Sequence, residues 1–319
     1  MSVVAGCSLF NGVLLASDCR ATIKRKNREA VYSDNVLKVF ALFPHTAIGF
    51  VGDIDIASYL LKKLITHLKE RQHTDPISLS NWFPRLFQYQ FKKYIMQYGD
   101  RTVYFMVASV LKDRPNVVER KAVVELVNYI AFGKSPISRN FMPNILIEIL
   151  KIPDKYKWVT IPGTSQGLLY VLSSPTFEIK PYYPLQFAAI GSGESSIQEI
   201  ALYHDAILAL DPGNSFVEGS QFRQVIRNFI EEKGIKSVGG LYPTLKVSGN
   251  GVEHLTMSAT IPVGGTKIEL AFQSGQWLQR NVTTGKEIPI QMPWDFLKGY
   301  SLTNNTFDDL DDAFRQFRG

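Results

Sequence analysis

At 319 residues, 45% apolar and 20% charged, the chain has the composition of a globular protein able to bury a sizeable core, which excludes fibrous and disordered classes. Its 35 basic residues face 29 acidic ones, and the net charge of +6 is spread thin. The one basic cluster, Lys24, Arg25, Lys26 and Arg28, has no aromatic rings interleaved for base stacking, so it reads as a solvated loop and no nucleic-acid partner is expected.

Val3 to Phe10 and Val13 to Asp18 read as strands, and Asn11-Gly12 between them is a strong hairpin signal because both positions tolerate positive φ. A second pair, Val36 to Leu42 and Ala47 to Val51, turns at Pro44-His45. Tight connections of this kind predict an antiparallel sheet. From Ile54 to Leu68 apolar residues recur every three or four positions, which is one face of a helix. Ser80 is the expected cap of a second helix carrying Trp82, Phe83, Leu86, Phe87, Phe91 and Tyr94 inward. Strands follow at Val103 to Leu111, Leu168 to Ser173, Phe177 to Lys180 and Phe187 to Ile190. Between them, about 112–158 reads as an insertion with a helix at Val117 to Tyr129. Two more helices are expected, Ser196 to Leu210 and Ser220 to Lys233, then strands at Thr244 to Ser248, His254 to Ile261 and Lys267 to Gln273. A short helix is expected around Phe307 to Phe317.

The order of strands, two helices, strands, two helices and strands predicts an α+β fold, a four-layer αββα sandwich of two packed antiparallel sheets flanked by helix pairs. Residues 1–275 read as one domain and 276–319 as a C-terminal extension.

Cys7 and Cys19 cannot build a disulfide framework and read as small buried thiols of a reducing, cytoplasmic setting. No apolar run reaches the roughly 20 residues of a membrane span. Val4-Ala5-Gly6-Cys7 mimics a lipid-attachment box, but no basic and long apolar regions precede it. The five histidines show no ligand spacing, so neither metal nor cofactor is expected.

Ser2-Val-Val-Ala-Gly6, Asn11-Gly12 through Asp18-Cys19-Arg20-Ala21-Thr22, Ala47-Ile-Gly-Phe-Val-Gly52-Asp53 and Phe187-Ala-Ala-Ile-Gly-Ser-Gly193 together resemble the proteasome β-subunits and, more widely, the N-terminal-nucleophile (Ntn) hydrolases. The resemblance covers roughly residues 2–70 and 160–275. It implies that Ser2, exposed by loss of Met1, attacks a peptide or amide carbonyl while its own α-amine takes the proton. That amine has an ordinary pKa of about 7.7–8.0 and can act as a base at neutral pH. It further implies that Asp18 and Arg20 are an orienting pair, that Ser192 hydrogen-bonds near the nucleophile, and that a glycine N–H at the end of the strand holding Gly49 and Gly52 binds the oxyanion. Without catalysis, Asp18 and Arg20 would be a strand-end salt bridge.

Two departures stand beside these matches. The family's lysine falls on Asn35, which brings no charge; Lys38, three residues on, would point to the opposite face of a strand. The family's late aspartate is absent from Gly234-Ile-Lys-Ser-Val238. Three readings therefore stay open: a peptidase or amidohydrolase with Ser2, Asp18, Arg20, Asn35 and Ser192 at its site, a catalytically inactive scaffold subunit of a proteasome-like assembly, and a plain β-sandwich binding module. The first two imply a homo-oligomer or ring.

Overall fold

The computed structural model describes residues 2–23, 31–71, 76–99, 101–131, 144–184, 186–191, 222, 223, 226, 238–255, 257–263 and 266–295. The chain begins with a hairpin of β1 (Val3–Leu9) and β2 (Gly12–Ser17), then a small hairpin of β3 (Ala21–Ile23) and β4 (Val31–Ser33), then β5 (Val39–Phe43) and β6 (Thr46–Gly52). Helices α1 (Ile54–Arg71) and α2 (Pro76–Tyr98) lead to β7 (Val103–Leu111). The next stretch holds β8 (Asn116–Glu119), α3 (Arg120–Ala131), α4 (Asn144–Leu150) and β9 (Trp158–Ile161). Then come β10 (Gln166–Ser173), β11 (Lys180–Tyr182), β12 (Phe187–Gly191), β13 (Thr244–Ser248) and β14 (Gly251–His254). Strands β15 (Met257–Val263), β16 (Thr266–Gln273), β17 (Gln276–Asn281) and β18 (Glu287–Pro289) close the described chain.

Two five-stranded antiparallel sheets, in the orders β12-β1-β2-β13-β14 and β11-β10-β7-β6-β5, lie face to face. Their approach is close enough that glycine is needed between them. A Cβ on Gly6 would stand 2.7 Å from Met106 Sδ, and one on Gly49 2.7 Å from Val4 Cγ1. Helices α1 and α2 cover the outer face of the second sheet, where Phe83, Phe87, Phe91, Phe105 and Phe177 form a fully buried ring cluster. Each such ring contributes about 1.5–3 kcal/mol of burial energy. On the outer face of the first sheet, Val3, Ala5, Cys7, Leu14 and Ala16 pack with Val123 and Val127 of α3, Leu146 and Ile149 of α4, and Phe222 and Ile226.

The expected four-layer αββα sandwich is not what forms. Among the described residues strand outweighs helix, 43% to 29%, and the strands divide into five antiparallel sheets rather than two. Of the strands in the three extra sheets, β15 and β16 fall on expected strands, whereas β3, β4, β8, β9, β17 and β18 fall on segments where no strand is expected. Residues 257–263 and 266–289 build a four-stranded sheet, β15-β16-β17-β18, with Leu270, Trp277 and Ile290 in the core. Val117–Glu119, expected to open a helix, instead form β8 with Asn116 and pair with Trp158–Ile161. Asn116 is drawn in because its side-chain amide donates to the carbonyls of Leu9 and Phe10 at 3.0 and 3.1 Å.

Smaller corrections have local causes. Helix α2 starts at Pro76, a residue suited to the first helical position, and Ser80 sits inside it with its hydroxyl donating to Ile77 O at 2.8 Å. Residues 177–179 are not strand, since Phe177 turns at φ 53°. The expected strand across His254 to Ile261 is broken after His254, where β14 ends before β15 begins. The expected helices at 196–210 and 307–317 lie outside the described residues; of 220–233, Phe222, Arg223 and Ile226 are described, helical and buried. No described helix is long and apolar enough to cross a membrane.

Candidate functional site

The hairpin of β1 and β2 brings position 18 back beside the start of the chain, with Val4 opposite Ser17. The Val3 N–H donates to Asp18 Oδ1 at 2.9 Å, and the Asp18 N–H donates to Val3 O at 3.2 Å. The carboxyl group is thus anchored to the residue after Ser2. Ser2 itself is 9% exposed. Its carbonyl is crossed by β12 so closely that a Cβ on Gly191 would stand 2.0 Å from the Ser2 oxygen. Only a residue without Cβ, at φ 98°, fits there.

Asp18 is completely buried, and a second donor reaches its carboxyl group. Lys38 Nζ lies 2.9 Å from Asp18 Oδ1, with the two side chains 3% and 0% exposed. The same ammonium donates to the Arg20 carbonyl, while the Arg20 N–H donates to Asp18 Oδ2 at 3.1 Å. Burial pushes the Asp18 carboxyl above its ordinary 3.8; the Lys38 ammonium and the N–H groups of Val3 and Arg20 oppose the rise. Burial likewise lifts the neighbouring Cys19 thiol well above its ordinary range.

Lys38 overturns the expectation that it faces away. The alternation rule assumed a regular strand through residue 38, but β5 begins only at Val39. Residues 35–38 run through an irregular crossing in which Val36 bridges Gln291, the Gln291 N–H donates to Asn35 O at 3.0 Å, and the Leu37 N–H donates to Gln291 O at 2.8 Å. Lys38 therefore takes its direction from this crossing and not from strand alternation. Its signal was a lysine between buried apolar neighbours in Val36-Leu37-Lys38-Val39.

Asn35 stands apart from this network: its carbonyl is taken by Gln291 and its side-chain oxygen is buried without a hydrogen-bond partner among the described residues. Arg20 contributes its main chain to Asp18, but its guanidinium turns to Asp34, donating from Nε to Oδ1 at 2.6 Å and from Nη2 to Oδ2 at 2.8 Å. The expected Asp18–Arg20 side-chain pair is therefore replaced by Asp18–Lys38 and Arg20–Asp34. Asp34 carried no sequence signal. Hydrogen bonding to it raises the Arg20 pKa, against burial. Ser192 lies outside the described residues.

Of the two glycines in β6, Gly49 is walled in by Val4 and Val39, whereas Gly52 ends the strand exposed at φ 107°. The turn beyond Gly52 is fixed by Asp53, whose Oδ1 accepts the N–H groups of Asp55 and Ile56 at 3.0 and 3.1 Å and so caps α1. Arg101 Nη1 holds the other carboxyl oxygen at 2.6 Å. Chemically, the assembly offers a buried anion and cation at fixed separation, locked to the main chain beside a serine.

No protein-family model matches this chain, and no curated protein matches it.

Proposed function

We propose that the chain is an Ntn-type hydrolase of peptide or amide bonds, resembling the proteasome β-subunits, with Ser2 as nucleophile once the segment before it is removed. The observation that carries this reading is the buried Asp18–Lys38 pair, whose carboxyl group also binds the Val3 N–H next to Ser2. Lys38 supplies positive charge that favours a developing Ser2 alkoxide, and Asp18 holds that cation in place. Ser2 Oγ attacks the substrate carbonyl, and its proton passes to the freed Ser2 amine. Collapse of the tetrahedral adduct breaks the C–N bond. The departing amine takes the proton back, and water then hydrolyses the ester left on Ser2. Gly52 N–H is the oxyanion donor in this scheme.

The scaffold reading drew on the absence of a cation beside Asp18, and Lys38 takes that ground away; the late aspartate is still missing from 234–238. The buried thiols of Cys7 and Cys19 suit a cytoplasmic protein, and the family resemblance suits a ring of like subunits.

The test is hydrolysis of fluorogenic peptide amides by the purified full chain, with intact mass recorded in parallel. Wild type is expected to start at Ser2 and to turn over, and Ser2→Ala to abolish turnover with the fold intact. A mature protein that retains Met1 would overturn the proposal, because an acylated amine cannot serve as base. So would equal turnover by Ser2→Ala.

A further inference from the structure

Arg20 serves the charge pair through its main chain: its N–H is bonded to Asp18 and its carbonyl to Lys38. The peptide unit on either side of residue 20 therefore sets how cation and anion stand to each other. The side chain leaves in another direction and is gripped there by both Asp34 oxygens, fork to fork. Its Nη1 also points at Val238 O, 3.5 Å away, and the Tyr32 ring lies 5.4 Å from its Cζ.

The floor under this grip has no room for side chains. A Cβ on Gly239 would stand 2.7 Å from Arg20 Cζ, and one on Gly240 2.9 Å from Asp34 Cβ. Gly239 O in turn accepts the Cys19 N–H at 3.3 Å, closing the frame around residues 18–20. The Arg20 and Asp34 side chains are 25% and 31% exposed, so water and salt screen much of their attraction. What the bidentate geometry supplies is orientation more than stability.

We propose that Asp34 is a positioning residue: by clamping the Arg20 side chain it fixes the main chain that binds both Asp18 and Lys38, and so sets the geometry of the charge pair beside Ser2. The catalytic consequence rests on the hydrolase reading above; the positioning itself does not. The ionisable groups facing Arg20 are Asp34, Asp18 and Tyr242, with Lys38 bonded to its carbonyl and the Cys19 thiol one residue before it.

Asp34→Asn in the full chain separates positioning from simple charge. Removing an anion near Asp18 lowers the Asp18 titration midpoint if Asp34 acts only through its field. If it acts by clamping, the loosened main chain weakens the Lys38 and Arg20 contacts and the midpoint rises. The probe is the Asp18 carboxyl carbon resonance, assigned by its loss in Asp18→Asn and followed against pH. The expected result is a higher midpoint in Asp34→Asn, partly restored in Asp34→Glu, with near wild-type melting. In the peptide-amide assay kcat falls on the order of tenfold with KM little changed. An unchanged or lowered midpoint overturns the proposal, as does wild-type kcat in Asp34→Asn. If the wild type hydrolyses nothing, the hydrolase reading fails while the Asp18 midpoint still decides the clamp.

Discussion

Replacing Lys38 by Met keeps the length of the side chain and removes the charge, leaving Asp18 buried opposite a thioether. At the observed 2.9 Å and an effective dielectric of 20, the lost attraction is about 6 kcal/mol. The variant cannot suffer all of that, because Asp18 can take a proton. Neutralising a carboxyl of ordinary pKa 3.8 at pH 7 costs about 4 kcal/mol, which caps the penalty. Loss of one partner of a buried pair typically costs about 3–5 kcal/mol, in agreement with that ceiling. The pH dependence follows from the direction of the shift. Burial already raises the Asp18 pKa, and Lys38 is the largest influence opposing it, so without Lys38 the folded variant holds a proton that the unfolded chain releases above about 3.8. The penalty is therefore full above the variant's raised folded pKa and fades as pH falls from there toward 3.8, by about 1.4 kcal/mol per unit. Denaturant unfolding of wild type and Lys38→Met from pH 8 to pH 4.5 reads this as a stability gap that closes on acidification. Asp18→Asn combined with Lys38→Met should recover much of the loss at pH 8. A gap below about 1 kcal/mol that does not change with pH would refute the description of Asp18–Lys38 as a dry ion pair.

Three further outcomes follow from local geometry. Gly191→Ala places a methyl group 2.0 Å from the Ser2 carbonyl at a positive φ, so it should displace the start of β1, cost about 1–3 kcal/mol in denaturant unfolding and abolish any Ser2 chemistry; full stability and turnover would show that the contact is not held in solution. Cys19 should react with a thiol reagent at neutral pH no faster than the protein unfolds, since it is fully buried and its thiol is pushed up by that burial; rapid labelling of Cys19 in the native protein would contradict this. Tyr170 is 4% exposed and its hydroxyl has no hydrogen-bond partner among the described residues, so Tyr170→Phe should unfold at equal or higher denaturant, by up to about 1 kcal/mol, whereas a loss of that size would reveal a partner.

Period and turn chemistry were enough to locate β1, β2, β6, α1, β7, β10, β12, β13 and β16, because each has a face pattern of its own and short-range punctuation such as Asn11-Gly12. The same local information placed Asp18 beside the chain start, since a two-residue reversal fixes register without help from the rest of the fold. It did not reveal how many sheets form: β17 and β18 carry no decisive alternation and become strands by pairing, β17 with β16 and β18 with β17, with Trp277 of β17 and Ile290 just beyond β18 seated in the core. Nor could it direct Lys38. The side chain's heading is set by the crossing of residues 35–38 against Gln291, more than 250 positions away in sequence. Asp34 gains its role in the same way, from Gly239 and Gly240 packing against it and against Arg20. Sequence thus determined the segments and the hairpin that brings residue 18 to residue 2. The tertiary structure decided which cation sits beside that carboxyl group, because a side chain leaving an irregular segment takes its direction from long-range contacts and not from its position in a repeat.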